Sequence, residues 1–181
     1  MLETAAVYWE STVRIYGVTE KSDLSLITIV FPAARLSHWG GKLQEMADEL
    51  GDFELVLMQQ VGLNVSQFSI VCQERDHYSL RRMVEQAATN ESETAVQVQS
   101  PVELISFHGP HFHDRYGIAQ TVCCALENGK VPFLAAGCSG TSVTVVFPEK
   151  MGRAGALALA GSFVVPQAEK SQKHSGRVAG R

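Results

Sequence analysis

The chain has 181 residues, 45% of them hydrophobic and 19% charged, with a formal net charge of -4. That length suits one large domain or two small ones, and the weakly acidic balance lacks the cationic field that phosphate backbones require, which argues against a general nucleic-acid binder. No apolar run approaches the roughly 20 residues of a membrane span, and Met1-Leu2-Glu3-Thr4 opens no basic-then-apolar leader, so the expected compartment is the cytoplasm.

In chain order, residues 12–18 predict a strand, Glu20-Lys21-Ser22-Asp23 a polar turn, and residues 24–31 a second strand. A loop over 32–39 follows, after which Gly40 and Gly41 open a helix that runs to Leu50 and is closed by Gly51-Asp52. Strands over 53–59 and 66–73 flank Gly62-Leu63-Asn64 as a hairpin. Asp76 is placed to cap the next helix, in which Leu80, Met83, Val84 and Ala87 follow the spacing of one buried stripe.

The polar segment 88–93 leads into a short strand over 94–98. Beyond it the pattern gives strands over 102–108, 131–136 and 141–147, with helices over 114–127 and 149–160. Gly152 and Gly155 should weaken the last helix by about 1 kcal/mol each. Residues 163–165 are expected to close a sheet, and 167–181 carry no apolar periodicity and read as a disordered tail.

Residues 26–60 and 102–137 share one order of elements, with Gly117 in the place of Gly41. Leu43, Met46, Ala47 and Leu50 match Ala119, Val122, Cys123 and Leu126 at a constant offset. Each copy with its flanks reads as a βαββαβ unit, which places two helices on one face of a four-stranded antiparallel sheet. The expected fold class is therefore α+β, with two ferredoxin-like units over 1–98 and 99–166. Open sheet edges favour pairing of units within the chain or across a homodimer.

Tandem units of this pattern, with Gly at the mouth of the first helix, resemble ACT domains, and the pair resembles the regulatory region of aspartate kinases. In the second unit the family has a strand, a loop of the form V-G-x-G-M-x-S-x-x-G-V-A and a helix ending in A-L. Here His108-Gly109-Pro110-His111-Phe112-His113-Asp114-Arg115-Tyr116-Gly117-Ile118-Ala119 stands in that place, with Ala125-Leu126 closing the helix. In the first unit Leu57-Met58-Gln59-Gln60 replaces the family's V-x-Q-N, and Gln67-Phe68-Ser69-Ile70-Val71 resembles its I-S-F-T strand.

The resemblance implies a free-standing, non-catalytic sensor without the kinase domain, which has no room in this length. It also implies an amino-acid effector held where units meet, and a biosynthetic enzyme as the regulated partner. Carried over by position, the ligand residues are Ser37, His38, Trp39, Gly40, Gly41 and Gln59: helix N-terminal N–H groups suit a carboxylate, and a side-chain amide accepts from an ammonium. The pattern departs at His38, where the family usually has Asp, and at Arg35, which favours an acidic ligand. Trp39 as a packing residue and Gln59 as a strand-end residue are the competing readings, and a structural or interaction subunit with a degenerate ligand site is the alternative function.

No cofactor is expected, and no catalytic residues. His38 with Glu45, or Cys138 with a distant His, lacks any surrounding motif, and Ser139-Gly140-Thr141-Ser142 falls at a hairpin turn. His108, His111 and His113, with Asp114, can in principle ligate a transition metal, but a polar loop is the expected reading and no metal site is assigned. Cys72, Cys123, Cys124 and Cys138 lack metal-ligand spacing and are expected to be buried, reduced thiols.

Overall fold

The computed structural model describes residues 13–89, 91, 93–109, 112 and 117–164. His111, His113 and Asp114 of the histidine cluster and the expected tail at 167–181 lie outside the described residues. In order, the elements are β1 (Val13–Arg14), β2 (Gly17–Pro32), α1 (Leu36–Leu50), β3 (Leu55–Gly62), β4 (Val65–Gln73), α2 (His77–Ala88), β5 (Ala95–His108), α3 (Ile118–Asn128), β6 (Ala135–Cys138), β7 (Ser142–Pro148), α4 (Gly152–Ala160) and β8 (Phe163–Val164).

Six strands form one sheet in the order β3-β4-β2-β5-β7-β6, with every neighbouring pair antiparallel. It consists of two four-stranded ferredoxin-like sheets that share β2 and β5. In the first half, residues 24–32 of β2 lie between β4 and the start of β5. In the second half, the end of β5 lies between β7 and residues 17–21 of β2.

This topology corrects two expectations. The turn at Glu20-Lys21-Ser22-Asp23 is a bulge inside a continuous strand: the register slips between Lys21 and Leu24, and Asp23 takes a left-handed φ of 56°. A short polar side chain tolerates that conformation, so one strand can serve both halves without turning back. Phe163 and Val164 do not close the second sheet; β8 pairs in parallel with β1, and Gly17 to Lys21 occupy the closing position beside β5.

A second slip, between Leu24 and Leu26, extends β5 by one residue against β2. The two bulges compensate in register, and each shifts its own strand's helix-facing positions by one residue, from Ile27 and Ile29 to Val18 on β2 and from Val96 and Val98 to Ile105 and Phe107 on β5, so all four helices cover one face. Ile27, Ile29, Phe31, Phe68 and Ile70 meet α1 and α2 through Trp39, Met46, Leu80 and Val84. Ile105, Phe107, Val143, Val145 and Phe147 meet α3 and α4 through Val122, Leu126 and Leu159.

The other face is buried by folding on itself. Leu24, Leu26, Val71, Val102, Leu104 and Val146 form a third cluster with Leu55 and Leu134. The terminal strands of the sheet come together here: a Cβ added to Gly137 on β6 would stand 3.1 Å from Leu57 Cδ2 on β3. The two halves thus pack through their helix-free surfaces, and β2 and β5 join them at the bend.

The repeat equivalence holds where it concerns the core. Met46 and Val122 are both buried, as is Leu126, while Ala119 and Cys123 are exposed. The cysteine expectation is corrected in part: all four thiols are free, but only Cys72 is buried.

Candidate functional site

The carried-over ligand residues divide between two surfaces. After Pro32 a short 3-10 turn over Ala33–Arg35 runs directly into α1, so the helix begins at Leu36 rather than at Gly40-Gly41. No side chain caps this end, and the leading backbone N–H groups belong to residues around Ser37 and His38. Ser37, Gly40 and Gly41 are exposed. A Cβ added to either glycine would meet nothing among the described residues within 4 Å.

Trp39 is a packing residue. Its ring is 1% exposed and stacks on Phe31 at 5.6 Å between centroids, and its indole Nε1 donates to Glu91 Oε2 at 3.0 Å. Arg35 donates to the same carboxylate through Nε at 2.9 Å and through Nη2, and Thr94 Oγ1 donates to Oε2 at 3.0 Å. His38 Nε2 approaches Oε1 to 3.4 Å, but it is not aligned for a hydrogen bond and remains a buried nitrogen without a partner. Burial alone would raise the Glu91 carboxyl; hydrogen bonds from Arg35, Thr94 and Trp39, with the Arg35 charge, hold it below its ordinary value. The chain therefore supplies its own carboxylate to the cationic corner beside α1.

Gln59 lies at the same end of the sheet. The hairpin turn sits against the start of α1, where Ala33 N–H donates to Asn64 O at 2.8 Å. Gln59 pairs with Gln67 in the β3–β4 ladder and, by alternation from helix-facing Phe68, points to the helix-free face. The structure thus brings Ser37, His38, Gly40 and Gly41 together on one helical end, withdraws Trp39 into the core and aims Gln59 away from them.

The remaining candidates that fall among the described residues have ordinary structural roles. Glu45 pairs with Lys42 at 2.7 Å instead of serving His38. Ser139 Oγ accepts from Ser142 N–H at 3.0 Å, closing the β6–β7 turn. His108 is exposed near Tyr16, with 6.0 Å between ring centroids. Among the described residues no three His, Cys, Asp or Glu side chains gather to hold a metal. No helix among them is long and apolar enough to cross a membrane.

Sequence reasoning missed two features. Glu91 lay in a segment read only as a polar connector. The glutamines Gln67, Gln97 and Gln99 line a cleft on the helix-free face; their signal was the alternation of glutamine with valine along 96–99.

Neither a protein-family model nor a curated protein matches this sequence. Solved structures do match its fold. The regulatory subunit of aspartate kinase from Thermus flavus aligns with 82% of this chain and 98% of its own, at 12% identity and a TM-score of 0.71. Aspartate kinase from Synechocystis aligns with 88% of this chain but only 29% of its own, at 16% identity and a TM-score of 0.77. A putative C-terminal regulatory domain of aspartate kinase from Porphyromonas gingivalis W83 aligns with 82% of this chain and 96% of its own, at 18% identity and a TM-score of 0.62. The fold is that of aspartate kinase regulatory regions, and the match to a whole kinase is confined to a fraction of its length.

Proposed function

We propose that this chain is a non-catalytic regulatory protein that binds an amino-acid effector where ACT-like units meet and thereby alters the activity of a partner biosynthetic enzyme. The observation that carries this reading is the alignment with nearly the whole of an aspartate kinase regulatory subunit, 98% of that chain. In this reading the sensing units are residues 1–98 and 99–166, the compartment is the cytoplasm and the assembly is a homodimer.

The start of α1 is the proposed effector end, with Ser37, His38, Gly40 and Gly41 as contacts, while Gln59 on β3 faces the helix-free side. Two exposed helical glycines cost about 1 kcal/mol each relative to alanine, and nothing among the described residues requires them. Close approach from outside the chain, by an effector or by the second copy that completes its site, accounts for them. Edge strand β3 offers that copy exposed Val56 and Met58. An effector bound across the contact favours the assembly in which it is closed, and this difference in affinity is the sensing step.

Isothermal titration of the chain against the twenty amino acids, with lysine, threonine and methionine first, tests the reading. Saturable heat with one of them is expected, whereas silence from all at millimolar concentration counts against it. The second reading is an interaction subunit with a degenerate ligand site, favoured by Trp39 in the core and Arg35 engaged by Glu91. Recovery of a biosynthetic enzyme in a pull-down irrespective of added amino acids supports that alternative.

A further inference from the structure

Between the helix-free surfaces of the two halves lies a cavity of about 260 Å³ lined by Leu26, Thr28, Gln67, Gln97, Gln99 and Leu134. Strand register brings these residues together: Thr28 stands opposite Gln97 and Leu26 opposite Gln99 across β2 and β5, and Gln67 follows one face-pair further along β4. Leu134 comes from the other half, immediately before β6, and its N–H donates to Val146 O at 2.8 Å. The cavity is therefore complete only when both halves are in place.

None of the six side chains ionises, and their polar groups are three amides and one hydroxyl. Gln67 Nε2 donates to Ser69 Oγ at 3.1 Å, and no side-chain donor among the described residues takes its amide oxygen. The amides of Gln97 and Gln99 have no side-chain partner among the described residues. A ligand that displaces water from such a cleft must replace its hydrogen bonds with donors and acceptors of its own. The cleft is open on the side of exposed Gln97, so a charged ligand would surrender part of its hydration and gain no counter-charge from the six lining side chains. That disfavours a free amino acid, a zwitterion, and sets this cleft apart from the effector end at α1.

A neutral ring with donors and acceptors on one rigid edge meets these conditions, since a glutamine amide pairs in bidentate fashion with the edge of a purine. The volume lies just below the roughly 300–1,000 Å³ of drug-sized sites, which suits a single small metabolite. We propose that this cavity binds an uncharged heterocycle of nucleobase type, its donor–acceptor edge held by Gln67, Gln97 and Gln99 and its ring covered by Leu26 and Leu134.

The test uses the full chain labelled with ¹⁵N and titrated with adenine and hypoxanthine as probes. The side-chain NH₂ resonances of Gln97 and Gln99 should shift saturably with at least one base, and Gln97→Leu and Gln99→Leu should each weaken that binding at least tenfold at an unchanged melting temperature. Should either leucine variant fail to fold, Gln97→Asn, which keeps the amide but shortens its reach, should give the same loss. Four results overturn the proposal: no shift with either base at millimolar concentration, the same shifts with glucose, the same shifts with free lysine or threonine, or binding undiminished by the substitutions. Because the reporters are the cleft amides, failure here is distinct from failure of effector binding at Ser37 and His38.

Discussion

A Cβ added to Gly155 would lie 2.6 Å from Cε1 of Phe147, inside the ring that fills the space between α4 and β7. At the first turn of the same helix, Gly152 N–H donates to Glu103 Oε2 at 2.5 Å, and a Cβ there would meet that carboxylate. The glycines of α4 therefore trade helix propensity for close approach to the sheet. Gly155→Ala should destabilise the fold by about 1–3 kcal/mol through overpacking, whereas Gly41→Ala, in open space, should stabilise it by about 1 kcal/mol. Urea melts of the two variants should move in opposite directions.

Glu91 ties α1 to the segment after α2, and its carboxylate accepts from Arg35, Trp39 and Thr94. Glu91→Gln should cost about 1.5–3 kcal/mol, the range for hydrogen bonds to a charged group. Because the folded state holds this carboxyl below its ordinary value, its contribution is present above the unfolded carboxyl pKa and disappears as pH falls through the depressed folded one. Chemical melts of wild type and Glu91→Gln between pH 7 and pH 3 should converge on the acid side.

Cys72 is buried, and burial, with the nearby Asp76 charge, pushes its thiol from 9.0 up to about 11. Native protein at pH 8 should therefore release Ellman's chromophore from the exposed Cys123, Cys124 and Cys138 and not from Cys72. Burial and the neighbouring Cys123 raise the Cys138 thiol as well, which should slow it relative to an unperturbed exposed thiol. The Cys72 contribution to stability is intact below about pH 9 and should be lost as pH rises toward about 11. Cys72→Ala should flatten that alkaline limb.

Asp23 supports the bulge with a positive φ and accepts from Ser22 Oγ at 3.0 Å. A β-branched residue resists this conformation, so Asp23→Val should cost about 1–2 kcal/mol. Asp23→Gly should be close to neutral. Thermal melts that ranked the two variants equal would mean that the bulge does not depend on this residue's backbone preference.

The sequence made the helices and the order of strands legible because each buries a periodic apolar face: the Leu80 and Val84 stripe is an example, and both residues are fully buried. Three features were hidden for physical reasons. Glu20 to Asp23 read as a turn because an exposed, polar, left-handed residue looks the same locally in a bulge and in a turn. Gly40-Gly41 read as a helix start because glycine has low helical propensity, yet the helix runs through both. Whether Gly17 to Lys21 or Phe163-Val164 completes the second half is decided by partners far along the chain, which no local pattern encodes. The site divided in the same way: Ser37, Gly40 and Gly41 lie exposed along α1 with His38 half-buried beside them, while Trp39 followed its own apolar area into the core.

The route of β2 also bears on how the protein is made. Gly17 pairs with His108, a partner that leaves the ribosome about 90 residues later, so the start of β2 waits several seconds at ordinary elongation rates before its second-half neighbour exists. During that interval the first half can assemble around residues 24–32 while the polar stretch from Thr19 to Asp23 projects from it unpaired. The charges of Glu20, Lys21 and Asp23 discourage that waiting edge from pairing with other nascent chains, a task unrelated to ligand binding that falls to the same few residues that carry the strand past the bend.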